Sequence, residues 1–270
     1  MQAYVTVLTG DAYLPGAIAL ARSLRAVGAT RPLLVLATAA VRAEALEALG
    51  CRVRRIELPP LSESFQRRHA TQAIHAASPF TRGTKPAFHD TLHNFAKLRL
   101  WELDEYRKVV YLDADTLVVQ NIDDLFEYPA FSAAPNLYQA AGDLTRMNSG
   151  VFVAQPGRLV FADMLRVLER SERTYLRTDQ TFLGEYFPRW HGLPYVYNTL
   201  QYVYFNLPEL WVWKSIRVVH YQYEKPWSTG NPKQHLLKPL IDLWWSMYEG
   251  TPPPENLPVE PPEIAKDLIA

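Results

Sequence analysis

Short apolar runs alternate with helix-like segments over the first sixty residues of the chain. Tyr4–Leu8 and Pro32–Ala37 are apolar runs of strand length, and the apolar positions of Ala17–Leu24 recur at helical spacing. Arg42–Leu49 repeats the helical spacing ahead of a third strand at Arg52–Leu58. This alternation predicts an α/β fold in which crossover helices connect parallel strands. Ligands of such folds bind beyond the carboxyl ends of the strands.

The same pattern continues in the second half of the chain. Leu92–Leu103 is predicted to be a helix that contains Lys97, and Val109–Leu112 a buried strand. Two more strands are predicted over "FSAAP" and "MNSGVFVAQP". Helices are predicted over Gly157–Arg170 and over "TDQTFLGEYF", the second one capped by Thr178.

Two stretches lack this periodicity. Residues 59–90 carry three histidines and several cations, and so long a loop in a compact domain is either a surface excursion or a functional lid or acceptor-side loop. The end of the chain is rich in proline and acidic residues. The sequence therefore predicts one domain over residues 1–250 and a proline-rich C-terminal extension over residues 251–270.

Composition limits the classes of partner. The 270 residues contain 28 Lys plus Arg and 28 Asp plus Glu, so no overall charge attracts nucleic acid or an anionic membrane. The single cysteine excludes an internal disulfide. No secretory signal is evident and no stretch approaches the roughly 20 apolar residues of a membrane helix. We therefore expect a soluble, cytoplasmic protein without integral membrane association, and the sequence leaves its oligomeric state open, a homodimer included.

Candidate chemistry begins at "YLDADTLV", where Asp113 and Asp115 follow the buried strand. Two carboxylates so close together repel each other unless a cation lies between them, so the pair points to a divalent metal. Three interpretations remain: an acidic turn that ends a strand, a phosphatase of the haloacid-dehalogenase kind, and metal-dependent transfer of a sugar from a nucleotide diphosphate. The phosphatase motif normally continues with a small residue and then Thr or Val, an order that Thr116 and Leu117 invert. However, "GDLTRMN" is a near match to that family's last acidic motif.

The sugar-transfer interpretation predicts a further metal ligand. Carboxylate oxygens suit Mn²⁺ or Mg²⁺, and the metal would neutralise charge on the departing diphosphate. A nitrogen ligand would favour Mn²⁺, with Mg²⁺ as the alternative. His220 is the candidate, because it ends an apolar strand and stands five residues before Lys225.

Five segments, in this order, resemble the retaining glycosyltransferases of family 8, which include glycogenin and galactinol synthase. They are "VTVLTGDAYLPGAIALARSL", "KLRLWELDEYRKVVYLDADTLVVQNIDDLF", "MNSGVFVAQP", "TDQTFL" and "VVHYQYEKPW". The resemblance spans roughly residues 3 to 228. It implies a GT-A fold, a Rossmann-like nucleotide-sugar-binding single domain with a mixed, mostly parallel central sheet. It also implies a metal-dependent retaining hexosyltransferase that moves a hexose from a UDP-sugar to an acceptor hydroxyl, with a non-catalytic nucleotide-sugar-binding protein as the alternative from another class.

The resemblance also implies a role for each matching residue. The metal ligands would be Asp113, Asp115 and His220, and the catalytic residues Asp179, Gln180 and Lys225. We assign Asp179 to sugar binding and oxocarbenium stabilisation. The expected donor-binding residues are Val7, Thr9, Gly10, Tyr13, Lys97, Asp113, Ala114, Asp115, Asn148, Ser149, Asp179, Gln180, His220 and Lys225. Asp143 is a further candidate for the sugar, and Asn198 for the acceptor groove.

The sequence departs from the family at two places. Relatives of glycogenin usually have a glycine between the histidine and the lysine of the last segment, plus one further residue, where this chain has Tyr223. We therefore expect that loop to run differently. Leu176 stands where glycogenins often have an acid, so we expect a sugar pocket that differs from a glucose site. The sequence names neither the donor sugar nor the acceptor or linkage, and it singles out no self-glycosylated tyrosine.

Overall fold

The computed structural model describes residues 1–78, 83–254 and 261. Its central feature is a seven-stranded sheet in the order β3-β2-β1-β4-β7-β6-β8, beside a three-stranded sheet in the order β5-β10-β9. The strands are β1 (Gln2–Leu8), β2 (Leu33–Ala37), β3 (Arg52–Arg55), β4 (Lys108–Leu112), β5 (Thr116–Val118), β6 (Ser132–Pro135), β7 (Met147–Ala154), β8 (His191–Gly192), β9 (Thr199–Leu200) and β10 (Val218–His220).

The large sheet is mixed and mostly parallel, as predicted. Strands β3, β2, β1 and β4 are parallel, whereas β7 pairs antiparallel with both β4 and β6. Because β7 runs against β4, the beginning of β7 lies beside the end of β4, with Leu112 opposite Val151. The residues that follow β4 and those that begin β7 therefore meet at one edge of the sheet.

Helices cover both faces of the large sheet. Successive residues of a strand point to opposite faces, so Val109 and Tyr111 of β4 join one core and Val110 and Leu112 the other. The α-helices are α1 (Leu14–Ala26), α2 (Glu44–Ala48), α3 (Glu63–His69), α4 (Thr71–Ala77), α5 (Arg158–Arg170), α6 (Thr178–Tyr186), α7 (Val203–Asn206) and α8 (Gln234–Glu249). None of the helices in the described ranges combines the length and apolar character needed to cross a bilayer.

Two local predictions were wrong. Residues 59–90 contain two short helices, α3 and α4, where a loop without regular structure was predicted. Ser62 begins the first of them by accepting a hydrogen bond from the amide of Phe65 at 3.3 Å. The helix predicted around Lys97 is confirmed, as a 3-10 helix over His93–Glu102. Thr178 does not cap α6: it is the first residue of that helix, with φ 49°, and no side chain caps the preceding position.

The predicted extension over residues 251–270 lies mostly outside the described residues. Residues 251–254 and 261 are described, and they follow α8, which ends at Gly250 in the left-handed conformation. The division of the chain at residue 250 therefore stays a prediction.

Candidate functional site

The ends of β1, β4 and β10 and the beginning of β7 surround a cavity of about 460 Å³. Every donor-binding residue expected from the sequence lines it. Additional lining residues that the sequence analysis did not single out include Lys85, Phe88, His89, Asn136, Tyr138 and Gln222. Three of these come from the 59–90 stretch, which supports a functional rather than a peripheral position for its end.

The candidate metal ligands converge at one wall of this cavity. Ligand atoms of Asp113, Asp115 and His220 all lie within 4.8 Å of one another. The imidazole Nε2 of His220 is 3.3 Å from Asp115 Oδ1 and 3.9 Å from Asp113 Oδ2. Two carboxylates and one imidazole form a donor set that suits Mn²⁺ and, through its oxygens, Mg²⁺. The residues therefore fit a divalent cation.

The backbone holds these ligands in place. The amide of Asp113 donates to Gly150 O at 2.8 Å, which ties the end of β4 to β7. His220 lies opposite Thr116 in the antiparallel pair of β10 and β5, and the amide of Tyr221 donates to Asp115 O at 2.9 Å. Ligands that lie more than a hundred residues apart in sequence are thus brought together by strand pairing.

A chain of buried amides orients the histidine. His220 Nδ1 is 2.9 Å from Asn198 Oδ1, and Asn198 Nδ2 donates to Asn148 Oδ1 at 2.8 Å. Asn148 Nδ2 donates in turn to Asn136 Oδ1 at 2.7 Å. A proton on Nδ1 leaves Nε2 as the ligand atom that faces the two acids. A Cβ on Gly150 would lie 2.4 Å from His220 Cε1, so the close approach of this ring requires glycine.

Two candidate site residues lie at positions other than those expected from the sequence. Asn198, expected at the acceptor groove, is 1% exposed and lies behind His220. Asp143 lies outside the cavity lining: its carboxylate accepts backbone hydrogen bonds from residues 138–140 and pairs with Arg146 at 3.0 Å. Asn136, which the sequence analysis missed, lines the cavity with a buried amide nitrogen, Nδ2, that has no hydrogen-bond partner in the structure. Such a nitrogen suits a hydroxyl of a bound sugar.

Lys225 and Lys97 neutralise the acids of the site. Lys225, 2% exposed, contacts Asp115 Oδ2 and donates to Tyr221 O at 2.8 Å. Burial by itself would raise the pKa of Asp115, but Lys225 and His220 outweigh burial and hold the pKa well below its usual range. Asp115 is therefore a charged carboxylate, ready to bind a metal, at neutral pH.

Lys97 connects the candidate metal ligand Asp113 to Asp179. Its ammonium is 3.1 Å from Asp113 Oδ1 and 2.8 Å from Asp179 Oδ2. Burial would lower the pKa of Lys97, but the two carboxylates outweigh burial and the pKa is raised. Ser149 Oγ also donates to Asp179 Oδ2, at 2.7 Å, and Gln180 Oε1 accepts from the Ser149 amide at 3.3 Å. The beginning of β7 and the first turn of α6 thus form one hydrogen-bonded unit.

The wall of the cavity next to Lys225 contains an aromatic ring, Tyr13, whose centroid is 5.9 Å from Lys225 Nζ. The segment from the end of β1 to the beginning of α1 contributes Val7, Thr9, Gly10 and Tyr13 to this wall. The ring of Tyr13 is edge-on to that of Phe88, with ring centroids 5.1 Å apart. Burial raises the pKa of Tyr13, with smaller contributions from Asp115 and Asp113, so its hydroxyl stays neutral. A planar base could lie against this aromatic wall.

The loop where the sequence departs from the family retains a glycine-like backbone. Tyr223 has φ 62°, in the left-handed region that glycine adopts most readily. Its ring packs against Tyr202 with centroids 5.4 Å apart. A glycine would also favour this conformation, and the expectation that the loop runs differently from that of the relatives stays a prediction. Leu176, the second departure, lines the cavity as an exposed side chain.

Residues 5–230 match the family described as Glycosyl transferase family 8. The chain belongs to glycosyl transferase family 8. Its fold and class, a GT-A retaining glycosyltransferase, are those that the five sequence segments predict, and this prediction is confirmed. The cavity described above is therefore the candidate active site of a family-8 enzyme.

Curated relatives are similar over nearly the whole chain. Human glycogenin-1 is 33% identical, covering 92% of this chain and 71% of the relative. Galactinol synthase 6 of Arabidopsis thaliana is 30% identical, covering 92% of this chain and 81% of that relative. A putative UDP-glucuronate:xylan alpha-glucuronosyltransferase 5 of the same plant is 31% identical over 93% of this chain, which spans only 42% of that longer protein.

Solved structures share the fold at lower identity. The glycosyltransferase GlyE of Streptococcus pneumoniae superposes with a TM-score of 0.63 at 18% identity, covering 92% of this chain and 60% of that one. An active-site mutant of LgtC superposes with a TM-score of 0.62 at 18% identity, covering 96% of this chain and 99% of that one. At this identity the likeness concerns the fold alone.

Proposed function

We propose that this protein is a Mn²⁺-dependent retaining hexosyltransferase that takes a hexose from a UDP-sugar and adds it to an acceptor hydroxyl. The observation that carries the proposal is the cluster of Asp113, Asp115 and His220 with Lys225 in contact with Asp115. Two acids, an imidazole and a buried cation at one cavity wall suit a metal-bound diphosphate. The curated relatives include a protein named for UDP-glucuronate, which supports a UDP-sugar donor.

Each part of the cavity would then bind one part of the donor. The aromatic wall around Tyr13 would hold the base, and the Asp113–Asp115–His220 cluster would hold the metal. Asn148, Ser149 and Gln180 would hydrogen-bond the sugar. When bound, the divalent metal would supply neutralisation of the charge that develops on the diphosphate.

Lys225 would stabilise the departing diphosphate directly. Its ammonium is buried and fixed between Asp115 and the carbonyl of Tyr221. A preorganised cation in a site that excludes water stabilises developing negative charge far more than a mobile, hydrated one would. The position of Lys225 beside the expected metal ligands supports its assignment as a catalytic residue.

The contacts of Asp179 support an electrostatic role. One oxygen of its carboxylate is bound by both Lys97 and Ser149, and the other accepts from Thr178 Oγ1 at 3.0 Å. A carboxylate with three such partners is held in one orientation, and its lone pairs are less available for covalent attack. Asp179 would therefore bind the sugar and stabilise positive charge at its anomeric carbon.

Measured UDP release tests the proposal. The purified chain would be incubated with Mn²⁺ and a panel of UDP-glucose, UDP-galactose, UDP-N-acetylglucosamine and UDP-glucuronate, with Mg²⁺ in a parallel series. We expect one or more donors to release UDP in Mn²⁺ and not in EDTA, and NMR of the product to show a retained anomeric configuration. Absence of both binding and release with every donor would contradict the proposal.

Asp179→Asn separates an enzyme from a binding protein. An enzyme should lose most of its turnover on this change while UDP and Mn²⁺ still bind, whereas a non-catalytic binding protein would have no turnover to lose. Mg²⁺-dependent hydrolysis of a phosphomonoester that Asp113→Asn abolishes would instead indicate a phosphatase. The cytoplasmic location, the homodimer and the acceptor stay predictions.

A further inference from the structure

Residues 83–93, here called the cover segment, lie over one side of the candidate active site. Lys85, Phe88 and His89 from this segment line the cavity. The facing element is the loop of residues 221–225, here called the flap, which joins β10 to the catalytic Lys225. The cover segment and the flap therefore border the same cavity, and they are attached to each other.

The attachment is made by the carboxylate of Glu224, which is only 6% exposed. Glu224 Oε1 accepts a hydrogen bond from the amide of Thr84 at 2.8 Å, and Oε2 accepts one from the hydroxyl of Tyr202 at 2.6 Å. The hydroxyl of Tyr202 in turn accepts from Lys233 Nζ at 3.0 Å. A carboxylate this deeply buried is costly unless both oxygens have partners. Here one of the partners is the backbone of the cover segment.

The two segments also fit tightly at Gly83. A Cβ at this residue would lie 2.3 Å from the hydroxyl oxygen of Tyr202 and 2.7 Å from Cγ of Tyr223. Contacts under 3.0 Å are not tolerated without movement, so the backbone of the cover segment lies directly on these two rings. The hydrogen bond from Thr84 is thus formed next to a close steric contact.

Lys85 directly follows Thr84, the residue that Glu224 binds. Its ammonium is 5.2 Å from the centre of the Tyr223 ring, inside the cavity. Burial and, to a smaller extent, the nearby Lys225 lower the pKa of Lys85 to about 8, against the opposing effect of Asp115 and Asp113. A bound diphosphate would favour the charged form of this lysine. The cation therefore stands where an anionic ligand would stabilise it.

We propose that Glu224 is a positioning residue that fastens the cover segment to the flap and thereby sets the place of Lys85 at the diphosphate side of the cavity. The inference rests on the proposed function, because it assumes a nucleoside diphosphate in the cavity. Glu224 itself is absent from the cavity lining and acts through Thr84 and Lys85. It also directly precedes Lys225, so one short loop carries both a catalytic cation and the attachment of a second cation.

Binding of UDP in the presence of Mn²⁺, measured by calorimetry on the full chain, tests this inference without an acceptor. We expect Glu224→Ala and Lys85→Ala each to weaken UDP binding about tenfold, the value of one hydrogen bond or ion contact to a charged group. Because Glu224 acts through Lys85, the double variant should bind less than twofold more weakly than Lys85→Ala. Glu224→Gln keeps an acceptor for the Thr84 amide and should bind nearly as the wild type does.

Two further variants separate positioning from folding. Gly83→Ala leaves the Glu224 carboxylate intact and pushes the cover segment off the two tyrosines, so it should reproduce the weaker binding even if Glu224→Ala fails to fold. Glu209→Ala removes an exposed acid on a neighbouring turn and should leave binding unchanged. Wild-type affinity in Gly83→Ala and Glu224→Ala, additive effects of Glu224→Ala and Lys85→Ala, or a Glu224→Gln as weak as Glu224→Ala would overturn the inference. A wild-type chain that binds no UDP would overturn the proposed function itself.

Discussion

Gly16, in the first turns of α1, lies directly against the turn that carries the two acids. A Cβ on this residue would lie 2.3 Å from the carbonyl oxygen of Ala114 and 2.9 Å from the ring of Trp227. Ala114 separates Asp113 from Asp115, so any displacement of its backbone moves both expected metal ligands. Gly16→Ala therefore perturbs the metal site through packing alone, without changing a polar group.

The distances determine the size of the effect. An ordinary carbon–oxygen contact is about 3.3 Å, so the helix and the turn must separate by about 1 Å. Alanine in a helix is favoured over glycine by about 1 kcal/mol, but overpacking of a tight contact costs about 1–3 kcal/mol. We expect the free energy of unfolding to fall by at most about 2 kcal/mol. Turnover should fall about 100-fold, because catalysis is sensitive to a misplacement of about 1 Å.

The assay is Mn²⁺-dependent UDP release, read together with the Mn²⁺ concentration for half-maximal activity and with Tm. The matched control is Gly184→Ala in α6, where a Cβ would meet Met147 Cγ at an ordinary 3.6 Å. Helix propensity then acts alone, so Gly184→Ala should be as active as the wild type and at least as stable. Turnover of Gly16→Ala within threefold of the wild type would refute the argument that this contact positions the acids.

Three further predictions follow from the site and the core. Lys225→Met should lower turnover about 100- to 1000-fold, and an equal loss of UDP affinity would instead indicate a role in ground-state binding. Asn198→Ala should raise the Mn²⁺ concentration for half-maximal activity about 10- to 100-fold, whereas an unchanged value would contradict its orienting role. His69 is buried, with Nδ1 on Phe65 O and Nε2 accepting from the Tyr175 amide. Burial lowers its pKa in the folded state, so the unfolded chain binds the proton more readily and the free energy of unfolding should fall as pH drops below about 6.5. His69→Gln should flatten that part of a denaturation series taken over pH.

The sequence could predict in part that the expected metal and sugar residues line one cavity, because some of them follow a strong local pattern. Asp113 stands directly after a run of four apolar residues, and strand ends of this kind place polar groups at the edge of a sheet. His220 was a candidate because it ends an apolar strand five residues before Lys225, and the order of the five segments strengthened that assignment. Pairing of β10 with β5 supplies the proximity.

Other features depend on packing that a sequence pattern does not carry. The helices α3 and α4 bury mainly Phe65, His69 and Ile74, too few apolar positions to produce a clear helical period. Asn198 is polar and lies in an aromatic stretch, which suggested the acceptor groove, but its partner is the ring of His220. The attachment of the cover segment by Glu224 joins residues 140 positions apart. Only the folded chain brings these groups together.

The antiparallel strand β7 also determines where residues can be inserted or deleted without disturbing the candidate site. The amide of Asp113 bonds to Gly150 O, and Leu112 pairs with Val151, so the distance between metal and sugar residues is fixed by strand register. The chain between β5 and β7 pairs with β7 through β6. Insertions at its exposed turn near residue 142 should leave the spacing of the two sites unchanged. Deletion of a single residue within β7 would instead turn Ser149 to the opposite face of the sheet.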